Sequence, residues 1–187
     1  MYPAVKPNRF ALAACLLLAT GGAQALNPKT RNDAQMIASA MRAAPAAVGS
    51  RATIMAMEEG GKMRTLRQGD NGFTCIPDNP GTPGPDPMCA DKGAMGWMQA
   101  YLGHTTPPAG QIGLVYMLQG GTDASNTDPY AAGPKDNHWI ETGPHVMLVG
   151  ADASFYDGYP HLTNPDTGAP YVMWSGTPYQ HLMAPVR

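Results

Sequence analysis

Two short runs, His145-Val146-Met147 and His181-Leu182-Met183, each place an imidazole and a thioether two residues apart. Residues i and i+2 of an extended strand lie on one face, so each run would turn a nitrogen and a sulfur donor to the same side. Neutral imidazole with thioether is a soft ligand set, suited to Cu(I) in an oxidising compartment. The chain has 13 methionines, the initiator among them, so sulfur donors are plentiful. The same residues also have an ordinary reading, because methionine fills irregular cores and a histidine opening a strand can reach solvent. His145, Met147, His181 and Met183 are therefore the candidate metal ligands, with copper the metal they would take.

A second group lies in the stretch 120–144, rich in Gly, Asp, Asn, Thr and Pro. Long connections of this kind in a compact domain are functional or disordered. Asp123, Asn126, Asp128, His138 and Trp139 make it a candidate ligand-binding segment. The alternating oxygens of 123–128 suit Ca²⁺, yet the central glycine and distal glutamate of a helix-loop-helix calcium loop are missing, and Asx turns account for the same residues. Trp139, Trp174, Tyr130, Tyr171 and Tyr179 would furnish either a cleft for a small polar ligand or the core of a strand-rich domain.

Hydrolytic chemistry has no clear signature. Ser175, in Met173-Trp174-Ser175-Gly176-Thr177, lacks the first glycine of a nucleophile elbow, and no HExxH occurs. A hydrolase would have to gather His138, His145, Asp123, Asp128 and Glu141 by folding.

Several elements must position these residues. Asn32 or Thr30 can cap a helix beginning near Asp33 and ended by Pro45. Residues 51–57 and 62–67 read as a hairpin about the Glu58-Glu59-Gly60-Gly61 turn, and 73–76 as a third strand completing an antiparallel meander. Residues 77–88 hold five prolines and form a stiff loop. A second helix spans 91–102, with Gly103 as its left-handed cap. Strands follow at 111–118, 145–149, 171–175 and 179–186. The expected fold is α+β: a mainly antiparallel sheet of five to seven strands, two helices and long Gly/Pro-rich loops.

The segments GFTCIPDNPGTPGPDPMC, QGGTDASNTDPYA, TGPHVM and YVMWSGTPYQHLMAPV resemble those of a family of uncharacterised secreted bacterial proteins. The resemblance covers nearly all of the chain after residue 25. It implies an exported bacterial protein and carries no activity, cofactor or catalytic residue.

The N-terminus agrees with export. Lys6 and Arg9 precede the apolar run 11–19, and Gly21-Gly22-Ala23-Gln24-Ala25 supplies small residues for cleavage between Ala25 and Leu26. Leu12-Ala13-Ala14-Cys15 imitates a lipoprotein site but would leave too short an apolar stretch before it. Residues 1–25 are thus expected to be a cleavable signal and 26–187 a single domain, periplasmic or secreted. Losing the signal leaves ten basic residues against 14 acidic ones, a formal charge of −4. No basic patch invites nucleic acid, and no membrane partner is expected for the mature form; a small ligand or a protein partner remains open.

Cys75 and Cys89 then remain as a pair, expected to be bonded. Closing a loop of about 15 residues is worth roughly 3 kcal/mol in the chain-entropy model. The expectation for function is an exported binding or structural module, with a Cu(I)-binding protein and a hydrolase as the two alternatives.

Overall fold

The computed structural model describes residues 32–134 and 138–186. The expected signal segment, its cleavage point and Thr30 lie outside the described residues. Among the described residues the ten strands are β1 (Thr53–Met57), β2 (Met63–Arg67), β3 (Thr74–Ile76), β4 (Met88–Ala90), β5 (Gly113–Met117), β6 (Ala124–Ser125), β7 (Trp139–Ile140), β8 (His145–Val149), β9 (Tyr171–Met173) and β10 (His181–Pro185). Eight join one sheet in the order β2-β1-β3-β4-β5-β8-β10-β9, while β6 and β7 form a separate ribbon. The fold is α+β with a mainly antiparallel sheet, as expected.

The sheet exceeds the expected five to seven strands. Met88–Ala90, at the end of the proline-rich segment, pairs with both β3 and β5 and so bridges the two halves of the sheet. The ribbon likewise lies inside the stretch 120–144 that was expected to be irregular. Three-residue and two-residue strands carry too few side chains to show a period, so tertiary pairing creates them.

Nor is the first half a meander. β3 pairs with β1, in parallel, instead of with β2. Gly69 explains the crossing: a Cβ there would stand 2.2 Å from the Ala52 carbonyl carbon, so only glycine lets residues 68–72 return against the start of β1. The Asp70 amide donates to the Arg51 carbonyl at 3.0 Å, fixing that return.

Helices α1 (Asp33–Met41), α2 (Ala46–Gly49), α3 (Lys92–Leu102) and α4 (Ala153–Tyr156) replace the two expected, the short α2 and α4 being single turns without a detectable apolar period. α1 has a reciprocal capping box, the Asn32 side chain accepting from the Gln35 amide and Gln35 accepting from the Asn32 amide. It ends at Met41, before Pro45. α3 ends as expected, but Gly103 has φ −84° and the left-handed residue is His104, φ 54°. The Thr105 amide bonds back to the Ala100 carbonyl there, so the reversal falls one residue later.

Alternation along the strands assigns the layers. Ile54, Cys75 and Cys89 turn one way and pack with Ala40, Ala43 and Ala44 beneath α1 and its following turn. On the same face Tyr156 of α4 covers Leu148, Val172 and Leu182. Ala90, Val115, Met117 and Val149 turn the other way, beneath Trp97 of α3. Ile140 of the ribbon rests on Tyr171, Met173 and Met183 of that second face. Cys75 and Cys89 stand opposite one another on β3 and β4 and form a disulfide, fully buried under α1.

α3 sits unusually close to β5. Asp91 caps it by accepting from the Ala94 amide at 2.9 Å, and its other oxygen accepts from the Leu114 amide of β5 at 3.0 Å. A Cβ on Gly113 would stand 2.0 Å from the Ala94 nitrogen, so glycine is required for this approach. One carboxylate and one glycine thus set the helix over the sheet.

Candidate functional site

The second face of the sheet carries the site. In the β8–β10 ladder Met147 is directly opposite Met183, His181 opposite Val149 and His145 opposite Pro185. β9 adds Met173 directly opposite His181, and β5 adds Met117 directly opposite His145. Directly opposed Cβ atoms are about 5 Å apart, within reach of one another's side chains. The fold therefore converts two local His/Met pairs into a continuous patch of two imidazoles and four thioethers.

α3 and the ribbon roof this patch and leave a cavity of about 290 Å³. Its walls include His145, Met147, Met173, His181 and Met183, with Met88 and Met98 at one side. Trp97 and Trp174 lie nearly parallel, centroids 6.2 Å apart, and His181 meets each edge-on at 5.4 and 4.9 Å. The Trp174 indole N–H donates to the Ser125 carbonyl at 2.8 Å, which pins the ring to the ribbon. The Trp97 indole nitrogen is buried with no hydrogen-bond partner among the described residues.

Both histidines are held in one tautomer. Nδ1 of His145 lies 2.7 Å from the Gly143 carbonyl, and Nδ1 of His181 lies 2.9 Å from the Tyr179 carbonyl. A carbonyl only accepts, so each Nδ1 carries the hydrogen and each Nε2 keeps its lone pair. Backbone-anchored Nδ1–H with free Nε2 is the usual arrangement of a ligating histidine. Burial pushes the His181 pKa down to about 4, against the opposing bond to Tyr179, and the charge of His145 lowers it further. Burial lowers that of His145 as well, opposed by its bond to Gly143. Both rings are neutral donors at pH 7.

The histidines occupy different ends of the cavity. His145 pairs with Pro185, four residues beyond His181 on the same strand, a span of about 13 Å at the usual strand rise. His181 lies beside Met173 and Met183 at one end, His145 beside Met117 at the other, and Met147, opposite Met183, stands between them.

A carboxylate marks the rim. Asp86, which borders this cavity and the adjoining cleft, accepts from the Asn79 amide and from the hydroxyls of Thr82 and Thr122 at 2.8 to 2.9 Å. The proline-rich loop thereby folds onto the cavity edge. The adjoining cleft, about 490 Å³, is lined by Met36, Met57, Met88 and Met98 among others, and Met57 is half exposed.

The ribbon brings part of the other expected group together, the Asn126 amide donating to the His138 carbonyl at 2.7 Å beside Trp139. Among the described residues no three of the His, Cys, Asp and Glu side chains converge as a metal site. Asp123 lines a separate polar cleft of about 330 Å³ with Glu141. Asp128 accepts from the Tyr130 amide at 2.9 Å, an Asx turn. His138 is exposed and lies 3.2 Å from the Asn164 side-chain oxygen, and Trp139 is half-buried in the ribbon. Asn126 is 3% exposed, and its amide donates to the Leu162 and Thr163 carbonyls at 2.8 and 3.2 Å. It braces two loops from within.

Met88, Met98, Met117, Met173 and Trp97 join the site without having been singled out in the sequence. The period-two pattern puts Tyr171 and Met173 on one face of β9, but only the register of β9 on β10 sets Met173 beside His181. No known protein family, curated protein or solved structure matches this chain.

Proposed function

We propose that the protein is an exported soft-metal-binding protein that holds Cu(I) in the cavity beneath α3. The observation that carries this reading is the Met147–Met183 pair with His181 and Met173 beside it, all lining one cavity. Thioethers favour Cu(I) over harder divalent ions, and neutral imidazole completes a nitrogen–sulfur set. His181, Met173, Met183 and Met147 are the ligands from which one ion draws its donors. Trp97 and Trp174 screen it from water, and their faces favour a cation. The two cysteines supply no thiolate, since they are paired beneath the opposite face. Asp86 at the rim and the methionine-lined cleft beyond it give the ion an approach.

The test is a competition titration against bicinchoninate under reducing conditions with ascorbate, which leaves the buried disulfide intact. The chain should withdraw about one equivalent of Cu(I) from the chelator complex. Failure to compete with even a weak Cu(I) chelator rejects the reading in favour of a module without a metal.

A further inference from the structure

We infer that Ser175 and His161 form a nucleophile–base pair able to cleave small carboxylic esters, at a place separate from the metal cavity. Nδ1 of His161 lies 2.7 Å from Ser175 Oγ, and its Nε2 lies 3.0 Å from the Tyr156 carbonyl. The carbonyl only accepts, so Nε2 carries the hydrogen. Nδ1 is therefore the basic nitrogen, and the Ser175 hydroxyl donates to it. This is the tautomer that general-base activation of serine needs, with a main-chain carbonyl as the third, orienting group.

The pair is held from behind. Ser175 sits between two left-handed residues, Trp174 (φ 55°) and Gly176 (φ 77°), just after β9. A bulky residue at positive φ is strained, and such strain gathers at functional turns. Buried Asn126 braces both halves: its carbonyl accepts from the Trp174 amide at 2.9 Å, while its side chain holds the carbonyls of Leu162 and Thr163, the residues following His161. On the far side Tyr156, whose carbonyl orients the imidazole, is 1% exposed.

The site can also meet developing charge. The Ser175 amide has no partner among the described residues, and the Gly176 amide meets only the Gln180 side chain at a long 3.4 Å. Two successive N–H groups at the nucleophile are donors for an oxyanion. Ser175 and His161 are exposed, and exposed Leu162 and Phe155 flank the histidine and its anchor. An open, partly apolar surface suits uncharged esters with short acyl groups.

In the reaction Ser175 Oγ attacks the ester carbonyl carbon and its proton passes to His161 Nδ1. The carbon–oxygen bond to the alcohol breaks, the alcohol leaves with that proton, and the acyl group stays on Ser175. Water then attacks the acyl carbon, gives a proton to Nδ1, and the acid departs as Ser175 Oγ regains it.

The full exported chain is to be treated with a fluorophosphonate probe and the adduct located by peptide mass spectrometry. The expected result is labelling at Ser175, slowed about tenfold or more in His161→Gln, with the circular dichroism of that exposed variant unchanged. No adduct at Ser175, or a labelling rate in His161→Gln slowed less than that, overturns the proposal. Ser175→Ala identifies any background reaction.

Discussion

Met147 and Met183 face each other directly across the β8–β10 ladder, each two residues along its own strand from a histidine. Side chains so placed share one environment: both pack in the cluster of Ile140, Tyr171 and Met173, and both also line the cavity, which opens to the surface. An open cavity of about 290 Å³ bordered by imidazole nitrogens and thioethers is the basis of the metal-binding account.

Tryptophan emission should report occupancy. The chain has three tryptophans, and two of them, Trp97 and Trp174, line the cavity against His181. Titration with Ag(I), a redox-inert stand-in for Cu(I), is expected to quench fluorescence to a plateau near one equivalent. Trp97→Phe and Trp174→Phe should each remove part of the change, whereas Trp139→Phe should leave it in place.

Acid should weaken the fold through His181. Its folded pKa lies near 4, below the unfolded value of about 6.5. The unfolded chain therefore binds the extra proton between those values, so this contribution is complete above pH 6.5 and lost as pH falls toward 4. The size is roughly 3 kcal/mol over the window, and His145 acts in the same direction. Urea unfolding at pH 7 and pH 4.5 measures the loss, which should shrink in His181→Asn.

Asp91 should matter more than an ordinary helix cap. Its two oxygens serve the first turn of α3 and the backbone of β5. Asp91→Ala removes both bonds and is expected to cost about 2 kcal/mol or more. Gly113→Ala should cost at least as much, since its Cβ would collide with helix backbone. Denaturant midpoints of the two variants test this.

Reducing the Cys75–Cys89 bond should destabilise the chain by about 2 to 5 kcal/mol, the usual cost of losing a native bridge from a small domain. Both cysteines are fully buried, so reduction should be slow until denaturant is added. Comparing urea midpoints with the Cys75→Ala/Cys89→Ala double variant separates the bridge from the reductant.

Much of this was legible in the residues. Alternation located β8 and β10, Asn32 announced the start of α1, and the two cysteines paired as their isolation suggested. The His145/Met147 and His181/Met183 pairs were visible because two-residue spacing needs only one strand to share a face. Register was not visible: nothing local tells Met173 that its neighbour is His181. The parallel crossing of β3 also escaped, because Gly69 acts through contact with residues 51–53, far from it in sequence. Asn126 was singled out as a ligand-binding residue, and nothing local announced the hydrogen bonds by which it ties the turn at Trp174 to the loop after His161. Ser175 was set aside on local pattern, and the partner that gives it chemical interest lies 14 residues away in a turn-rich loop.

The most direct test is the Cu(I) affinity of Met147→Leu/Met183→Leu. Leucine for methionine nearly conserves volume and apolarity, so the core should survive while both opposed sulfurs vanish. Cu(I) affinity should fall by about a hundredfold or more, roughly 3 kcal/mol, with the urea midpoint little changed. A double variant that binds Cu(I) as tightly as the parent chain would contradict the site.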